Sequence, residues 1–351
     1  MAEPNIVFLP IWGKLNETIP QQQMKAIREN GGQAQYGVPG TIFPLTRSAM
    51  KFRPTVISLD WIHQYALAPG WFHSFLKTML FALDILLVKI LFRPKLVWTI
   101  HNLQHHDPRP RGIERWISSF FANQCTRVRI LGTGVENTVA SYLKIPVSRC
   151  IVVPEGPYIG WYPEGQSRES ARKELNINAN DRVWLYLGTL RPYKGVEDLM
   201  DAFLLTEPKG HQLIIAGNPW NKAYAGSLFE KAHGHDNIRV HAESVPDDKL
   251  QTFFAAADLV VLPFRHVLNS GSVLLAMGFG KAVVAPEIGL IPFRLSSQPQ
   301  FLFNDQIGLQ AVLEKTEQLS LEALREIGLE NRRQALRYTW NDFARFVLNL
   351  K

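Results

Sequence analysis

Two cations stand three residues apart in WLYLGTLRPYKGVEDLMDAF, residues 184–203. The apolar run predicts a strand ending at Gly188, a loop carrying Arg191 and Lys194 forward, and a helix opening at Gly195. Positive side chains beside the free N–H groups of a helix start suit a diphosphate, whose oxygens accept from both. A solvated basic loop is the plainer alternative for the same residues. A second stretch, RHVLNSGSVLLAMGFGKAVVAP (265–286), reads as a polar turn, a short helix and a buried strand. Its Asn269-Ser270-Gly271-Ser272 turn offers a glycine, two hydroxyls and a row of backbone N–H groups, which again suits phosphate. No acidic residue lies between Arg265 and Lys281.

The first half supplies a different set. In LVWTIHNLQHHD (96–107) a buried strand releases His101 and Asn102, and His105, His106 and Asp107 follow within one short loop. Three histidines and an aspartate invite a zinc reading, but no matching ligand cluster stands elsewhere, so a metal-free site is expected. A strand-end histidine satisfied within the core is the bland alternative. Asp60-Trp61-Ile62-His63 closes another strand, and Gly13, Lys14 and Asn16 fall on the first strand-to-helix turn. Glu155 ends the apolar run in VVPEGPY.

Such residues need a scaffold, and 351 residues suffice for two domains of ordinary size. The hydrophobic share of 46% and charged share of 20% are those of a packed globular chain. Cys125 and Cys150 are the only cysteines, too few for a disulfide framework or a cysteine-rich metal site, which predicts a reducing, cytoplasmic setting. The first strand candidate begins within ten residues, with no basic-then-apolar leader before it, and this adds to the same expectation. The net charge of +7 is unevenly placed: residues 1–150 hold 17 Lys and Arg against 8 Asp and Glu, and the remainder holds 21 against 23. A basic half attracts phosphates, nucleic acid or anionic lipid. No zinc-finger or RNA-recognition signature favours nucleic acid, so none is expected as partner.

Within the basic half, WFHSFLKTMLFALDILLVKILF (71–92) is long enough to span a bilayer, yet Lys77, Asp84 and Lys89 interrupt it. Three readings stay open: a membrane span, a buried helix, and a helix lying on a membrane surface as a peripheral contact.

Strand candidates at 5–10, 55–60, 95–100, 127–132 and 150–155 alternate with helical segments, and 182–188, 211–217, 237–242, 258–263 and 282–286 restart the series. The repeated β-α unit predicts an α/β fold of two doubly wound parallel domains, 1–160 and 161–335, divided near the Gly- and Pro-rich loop 156–170. Ligands of open parallel sheets bind at the carboxyl ends of strands, so two facing sheets would create one interdomain cleft. The amphipathic segment 336–350 is expected to return to the first domain.

On LGTLRPYKGVEDLMDAF, ADLVVLPFR, SGSVLLAMGFGKAVVAP and VVPEGPY, the chain resembles the retaining, family-4-type glycosyltransferases of the GT-B fold, two facing Rossmann-like domains. The likeness is strongest across about residues 150–290. It implies that Arg191 and Lys194 hold the donor's diphosphate, with Gly188 and the 269–272 turn beside them. It implies that the base is met near Glu243 to Pro246, and that Gly13 and Asn16 on the first turn approach diphosphate and acceptor. It gives His101 contact with the reacting sugar or acceptor, and Asp60, Trp61, His105, His106 and Glu155 the acceptor side. Thr189 stands where the family commonly has another arginine. The family's two glutamates, one for the sugar and one for the ribose, fall on Val267 and Leu275. A subgroup of bacterial exopolysaccharide enzymes pairs an RPYKG loop with such an SGS turn, which reads as substitution of the glutamates.

The resemblance therefore implies transfer of a hexose from a UDP- or GDP-sugar to a hydroxyl of a glycan or lipid-linked oligosaccharide in polysaccharide synthesis. Retention of configuration is implied by the same resemblance alone. The scheme needs no cofactor and no metal, because cations and N–H groups stabilise the leaving diphosphate. The rivals are a non-catalytic sugar-nucleotide or glycan-binding protein of the same fold, and another two-domain enzyme such as an epimerase or phosphorylase. An oxidoreductase is disfavoured, since no strand is followed by G-x-G-x-x-G.

Overall fold

The computed structural model describes residues 3–10, 18–104, 109–206 and 210–350. Gly13, Lys14, Asn16, His105 and His106 lie outside them. The chain divides into two compact units, residues 1–155 with 338–351, and residues 156–337, where the sequence led us to expect boundaries at 160 and 335.

The first unit is built on strands β1 (Asn5–Leu9), β2 (Gln33–Tyr36), β3 (Val56–Leu59), β4 (Lys95–Thr99), β5 (Arg127–Ile130) and β6 (Cys150–Val152). They form one wholly parallel sheet in the order β2-β1-β3-β4-β5-β6. Helices α1 (Thr18–Glu29), α2 (Pro44–Phe52), α3 (His63–Ala66), α4 (Trp71–Leu91), α5 (Arg111–Gln124) and α6 (Glu136–Leu143) connect them. The first five residues after Pro4 show why the centre forms: β1 buries Ile6, Val7, Phe8 and Leu9 almost completely, as a strand covered on both faces must. Strand β2 escaped the sequence reading because QAQY is polar and short; it lies at the sheet edge, where only one neighbour is needed.

The second unit carries β7 (Arg182–Leu187), β8 (His211–Ala216), β9 (Ile238–His241), β10 (Leu259–Val261), β11 (Ala282–Pro286) and β12 (Leu302–Phe303), with α7 (Arg168–Glu174), α8 (Val196–Thr206), α9 (Lys222–Ala232), α10 (Leu250–Ala256), α11 (Gly271–Gly278), α12 (Ile291–Arg294), α13 (Gln306–Glu317) and α14 (Leu321–Ala335). Its order, β12-β11-β10-β7-β8-β9, is again parallel throughout. The chain winds outward from β7 through β8 to β9, then returns to pair β10 with β7 and winds the other way. The reversal leaves a switch point at the carboxyl ends of β7 and β10, the position where open α/β sheets bind ligands. The expected doubly wound α/β organisation is thus present in both units.

Segment 71–92 forms α4, and it is not a span: no helix among the described residues is long and apolar enough to cross a membrane. The charges that interrupt it serve the fold. Buried Asp84 accepts from the backbone N–H groups of Leu45 at 2.8 Å and Thr46 at 2.9 Å, so it caps α2, whose own N-cap position, Phe43, supplies no side-chain bond. Lys77 donates to the carbonyls of Gln64 and Leu67, and Lys89 to the carbonyl and side chain of Gln124.

The C-terminal segment forms α15 (Trp340–Leu348), opened by a capping box between Thr339 and Asp342. It belongs to the first unit, where Phe343 is fully buried, with its ring beside Phe8 at 6.1 Å between centroids. The guanidinium of Arg129, itself donating to the carbonyls of Val153 and Pro154, lies 4.4 Å from the Phe343 ring centroid. Replacing Phe343 by Ala should remove about 3–5 kcal/mol from the first unit, read as an earlier transition in urea while the transition of the second unit stays in place.

Candidate functional site

The switch point of the second unit is built by close backbone approaches. Gly217, just after β8, has φ +152°, and a Cβ there would lie 1.8 Å from the carbonyl oxygen of Gly188. Gly195 has φ +68°, and its Cβ would lie 1.9 Å from the carbonyl oxygen of Pro263, just beyond β10. Only glycine satisfies both demands. The loop between Gly188 and Gly195 is pinned on either side: Leu190 bonds to Asn218 and Trp220 at 2.9 and 2.8 Å, and the N–H of Arg265 donates to the carbonyl of Tyr193 at 2.9 Å. A one-turn 3-10 helix, Pro192–Lys194, then presents Lys194 beside the residues that follow β10.

The ammonium of Lys194 sits 4.2 Å from the ring centroid of Phe264 and 5.3 Å from that of Tyr193. Among the described residues no carboxylate pairs with it. Burial, reinforced by the nearby charge of Arg191, pushes its pKa down to about 8 from the ordinary 10.5. An ammonium held against two ring faces, desolvated and beside a second cation, is short of negative charge. That is the electrostatic condition of an anion site.

The Ser-Gly-Ser turn stands within reach of the same strand end. A Cβ on Gly188 would lie 3.2 Å from the Ser272 hydroxyl oxygen, and one on Gly271 would lie 3.4 Å from the Tyr158 hydroxyl. Ser270 is the N-cap of α11, its hydroxyl accepting from the N–H of Val273 at 3.3 Å. That lone pair is thereby committed to the helix, which narrows the phosphate role expected of this hydroxyl. The N–H groups of Gly271 and Ser272 find no acceptor among the described residues, and the first turn of α11 carries no acidic residue. Tyr158 was not singled out from the sequence; its only signal was membership of VVPEGPY.

The start of α8, read from the sequence as part of the diphosphate site, carries Glu197 and Asp198 in its first turn. Asp198 forms a two-bond fork with Arg265, at 2.7 Å from Nε and 2.6 Å from Nη2. Arg265 thereby takes up the charge of Asp198, while the first turn of α11 carries no acid at all. Thr189, in place of a further arginine, accepts through its carbonyl from the Tyr186 hydroxyl at 2.9 Å. Glu243 is exposed just beyond β9. Val267 and Leu275, which occupy the glutamate positions of the resemblance, are half-buried and pack against the hydrophobic core.

In the first unit, the ends of β3 and β4 bring three of the predicted residues together. The Trp61 indole stacks on the His101 ring with centroids 4.1 Å apart and planes 11° from parallel. His101 Nε2 lies 3.6 Å from Asp60 Oδ1, both side chains being buried. The gap exceeds a hydrogen bond, so each atom keeps capacity for a third polar group. Glu155, the last residue of this stretch of the first unit, is only 2% exposed. Among the described residues no group of three His, Cys, Asp or Glu side chains could hold a metal ion.

Residues 167–293 match the family model described as Glycosyl transferases group 1, so this segment carries such a domain. A GDP-mannose:glycolipid 4-beta-D-mannosyltransferase of Xanthomonas campestris pv. campestris is 30% identical over 246 residues, 68% of this chain and 63% of that protein. The chain thus aligns with less than two thirds of that relative. A lipopolysaccharide 1,2-N-acetylglucosaminetransferase of Salmonella typhimurium is 30% identical over 161 residues, 42% of this chain and 40% of its own. Among solved structures, sucrose-phosphate synthase from Thermosynechococcus elongatus gives a TM-score of 0.74 at 14% identity, covering 98% of this chain and 97% of its own. HepE of Anabaena, solved with UDP and glucose, gives 0.72 at 16%, covering 97% of both. The two six-stranded parallel sheets are those of GT-B proteins.

The Lys194 environment has two measurable consequences. With a folded pKa near 8 and an unfolded one near 10.5, the unfolded chain binds a proton that the folded chain lacks between those values. Stability from this group therefore rises with pH across that window, and below it the full cost of burying the charge is present. Lys194→Met should flatten that rise in a series of melting temperatures. A bound diphosphate favours the ammonium, so affinity for a nucleoside diphosphate should fall as pH rises through about 8, and Lys194→Met should weaken it by about tenfold or more.

Proposed function

We propose that the protein is a glycosyltransferase that moves a hexose from a UDP- or GDP-sugar to a hydroxyl of a glycan or lipid-linked oligosaccharide. One observation carries the reading. A desolvated lysine without a carboxylate partner among the described residues stands in the loop that leaves β7, and Gly188 at the start of that loop approaches Ser272 in the acid-free first turn of α11. The group 1 match over residues 167–293 and the glycolipid mannosyltransferase relative support it from outside.

In this reading Arg191 and Lys194 hold the diphosphate, and Gly271 and Ser272 donate backbone N–H groups to its oxygens. As the sugar–phosphate bond breaks, negative charge gathers on the leaving diphosphate, and those donors stabilise it. Gly188 admits the phosphates by lacking a side chain, and Glu243 lies on the side where the base would sit. Asp60 and His101 offer two buried polar atoms to a sugar hydroxyl, and Trp61 holds the imidazole in place. Val267 and Leu275 cannot grip ribose or sugar hydroxyls, so donor recognition rests on phosphate and backbone contacts more than in relatives with glutamates. Retention of configuration and a cytoplasmic setting belong to the same proposal.

A thermal-shift screen of UDP, GDP, ADP and their sugars identifies the donor, followed by release of nucleoside diphosphate in the presence of a glycolipid acceptor and assignment of the product anomer by NMR. Arg191→Ala and Lys194→Ala should each lower turnover by about a hundredfold. Full activity in both variants would overturn the assigned roles. Stabilisation by a nucleotide sugar with no turnover on any glycan or glycolipid acceptor would favour a binding protein that has lost the chemistry.

A further inference from the structure

The outward face of α4 is apolar along its whole length. Trp71, Phe72, Phe75, Leu76, Leu83 and Ile90 are between 43% and 67% exposed. The polar residues of the helix do not interrupt this face, because Asp84, Ser74 and Thr78 are buried and Lys77 and Lys89 are turned to neighbouring carbonyls. His73 is the one exposed polar side chain on the helix. Twenty-one residues make a stripe about 30 Å long. A soluble monomer rarely leaves so large a contiguous apolar surface uncovered.

Charge decides what covers it. Residues 41–125 contain ten Lys and Arg against four acidic residues. Of those four, Asp60, Asp84 and Glu114 are buried and Asp107 lies outside the described residues. Among the described residues of this stretch, therefore, no carboxylate is exposed. Exposed Lys51, Arg53 and Arg93 gather at the C-terminal end of α4, where the Arg53 guanidinium lies 4.9 Å from the Phe92 ring centroid. Burial, and after it the charge of Arg109, lowers the Lys77 pKa. An apolar stripe rimmed by cations and free of exposed anions complements a surface with hydrocarbon below and negative charge above.

We propose that α4 lies flat in the surface of an anionic lipid bilayer, its aromatic and aliphatic face in the acyl boundary and Lys51, Arg53 and Arg93 against the headgroups. The helix is held from the other side by Asp84, Lys77 and Lys89, so it is ordered before it meets lipid. A second copy of the chain would gain the apolar contact but would bring the same cations together, which disfavours it as the occupant.

Co-sedimentation with vesicles of phosphatidylcholine, with and without phosphatidylglycerol, tests this on the full chain. The protein should partition onto the anionic vesicles, more weakly onto neutral ones, and less at high salt. Phe75→Glu with Leu83→Glu, both at exposed positions, should lower partitioning by about tenfold or more. Lys51→Glu with Arg53→Glu should lower it by about fivefold for each charge removed, on anionic vesicles only. If the apolar variant fails to fold, the charge variant decides alone. Nucleoside diphosphate binding should be unchanged in both, which separates this proposal from the transferase reading. No binding to anionic vesicles, or equal binding by wild type and variants, would overturn it, as would a wild-type dimer that Phe75→Glu with Leu83→Glu converts to monomer.

Discussion

The phosphate site depends on how closely backbone can approach backbone at the carboxyl ends of β7, β8 and β10. Gly217 against the Gly188 carbonyl and Gly195 against the Pro263 carbonyl bring three loops to one place without intervening side chains. The hydrogen bonds that fix Leu190 and Tyr193 follow from that convergence. So does the position of Lys194, pressed between its own neighbour Tyr193 and Phe264 from the loop after β10. The ammonium is costly where it is, and the arrangement tolerates it because the loops are anchored by backbone bonds that no side-chain charge affects.

Much of this was legible in the sequence. Unbroken apolar runs such as RVWLYLG and HQLIIAG announce strands covered on both faces, and the glycines that end them mark the turns. The two strands that were missed, QAQY and Leu302–Phe303, lie at sheet edges, where a polar or very short segment suffices. The Ser-Gly-Ser turn was legible as a helix start, but the commitment of the Ser270 hydroxyl to its own helix was not. The fork between Arg265 and Asp198 was hidden too, because it joins residues 67 positions apart.

The α4 segment taught the opposite lesson about charge. In the sequence Lys77, Asp84 and Lys89 mark the polar side of a helix, and an ordinary pattern would turn them to water. Here they turn to the carbonyls and N–H groups of α2, α3 and α5, while Phe and Leu side chains face outward. A run that is apolar nearly all round carries no phase from which the outer face could be read; its neighbours' unsatisfied backbone groups supply it. The Asp60, Trp61 and His101 cluster was legible residue by residue, since each closes a strand. Their mutual contact came only from the pairing of β3 with β4.

The placement of α15 bears on how the chain comes to be folded. The second unit is one continuous stretch, 156–337, whereas the first is split by it and receives Phe343 from beyond it. During synthesis the downstream unit is therefore complete in sequence before the upstream one is. The β1 sheet must wait, with a gap beside Phe8, until about 190 further residues after Val152 have emerged. Until then the apolar surface beside Phe8 that α15 covers in the finished protein stays open on the nascent chain.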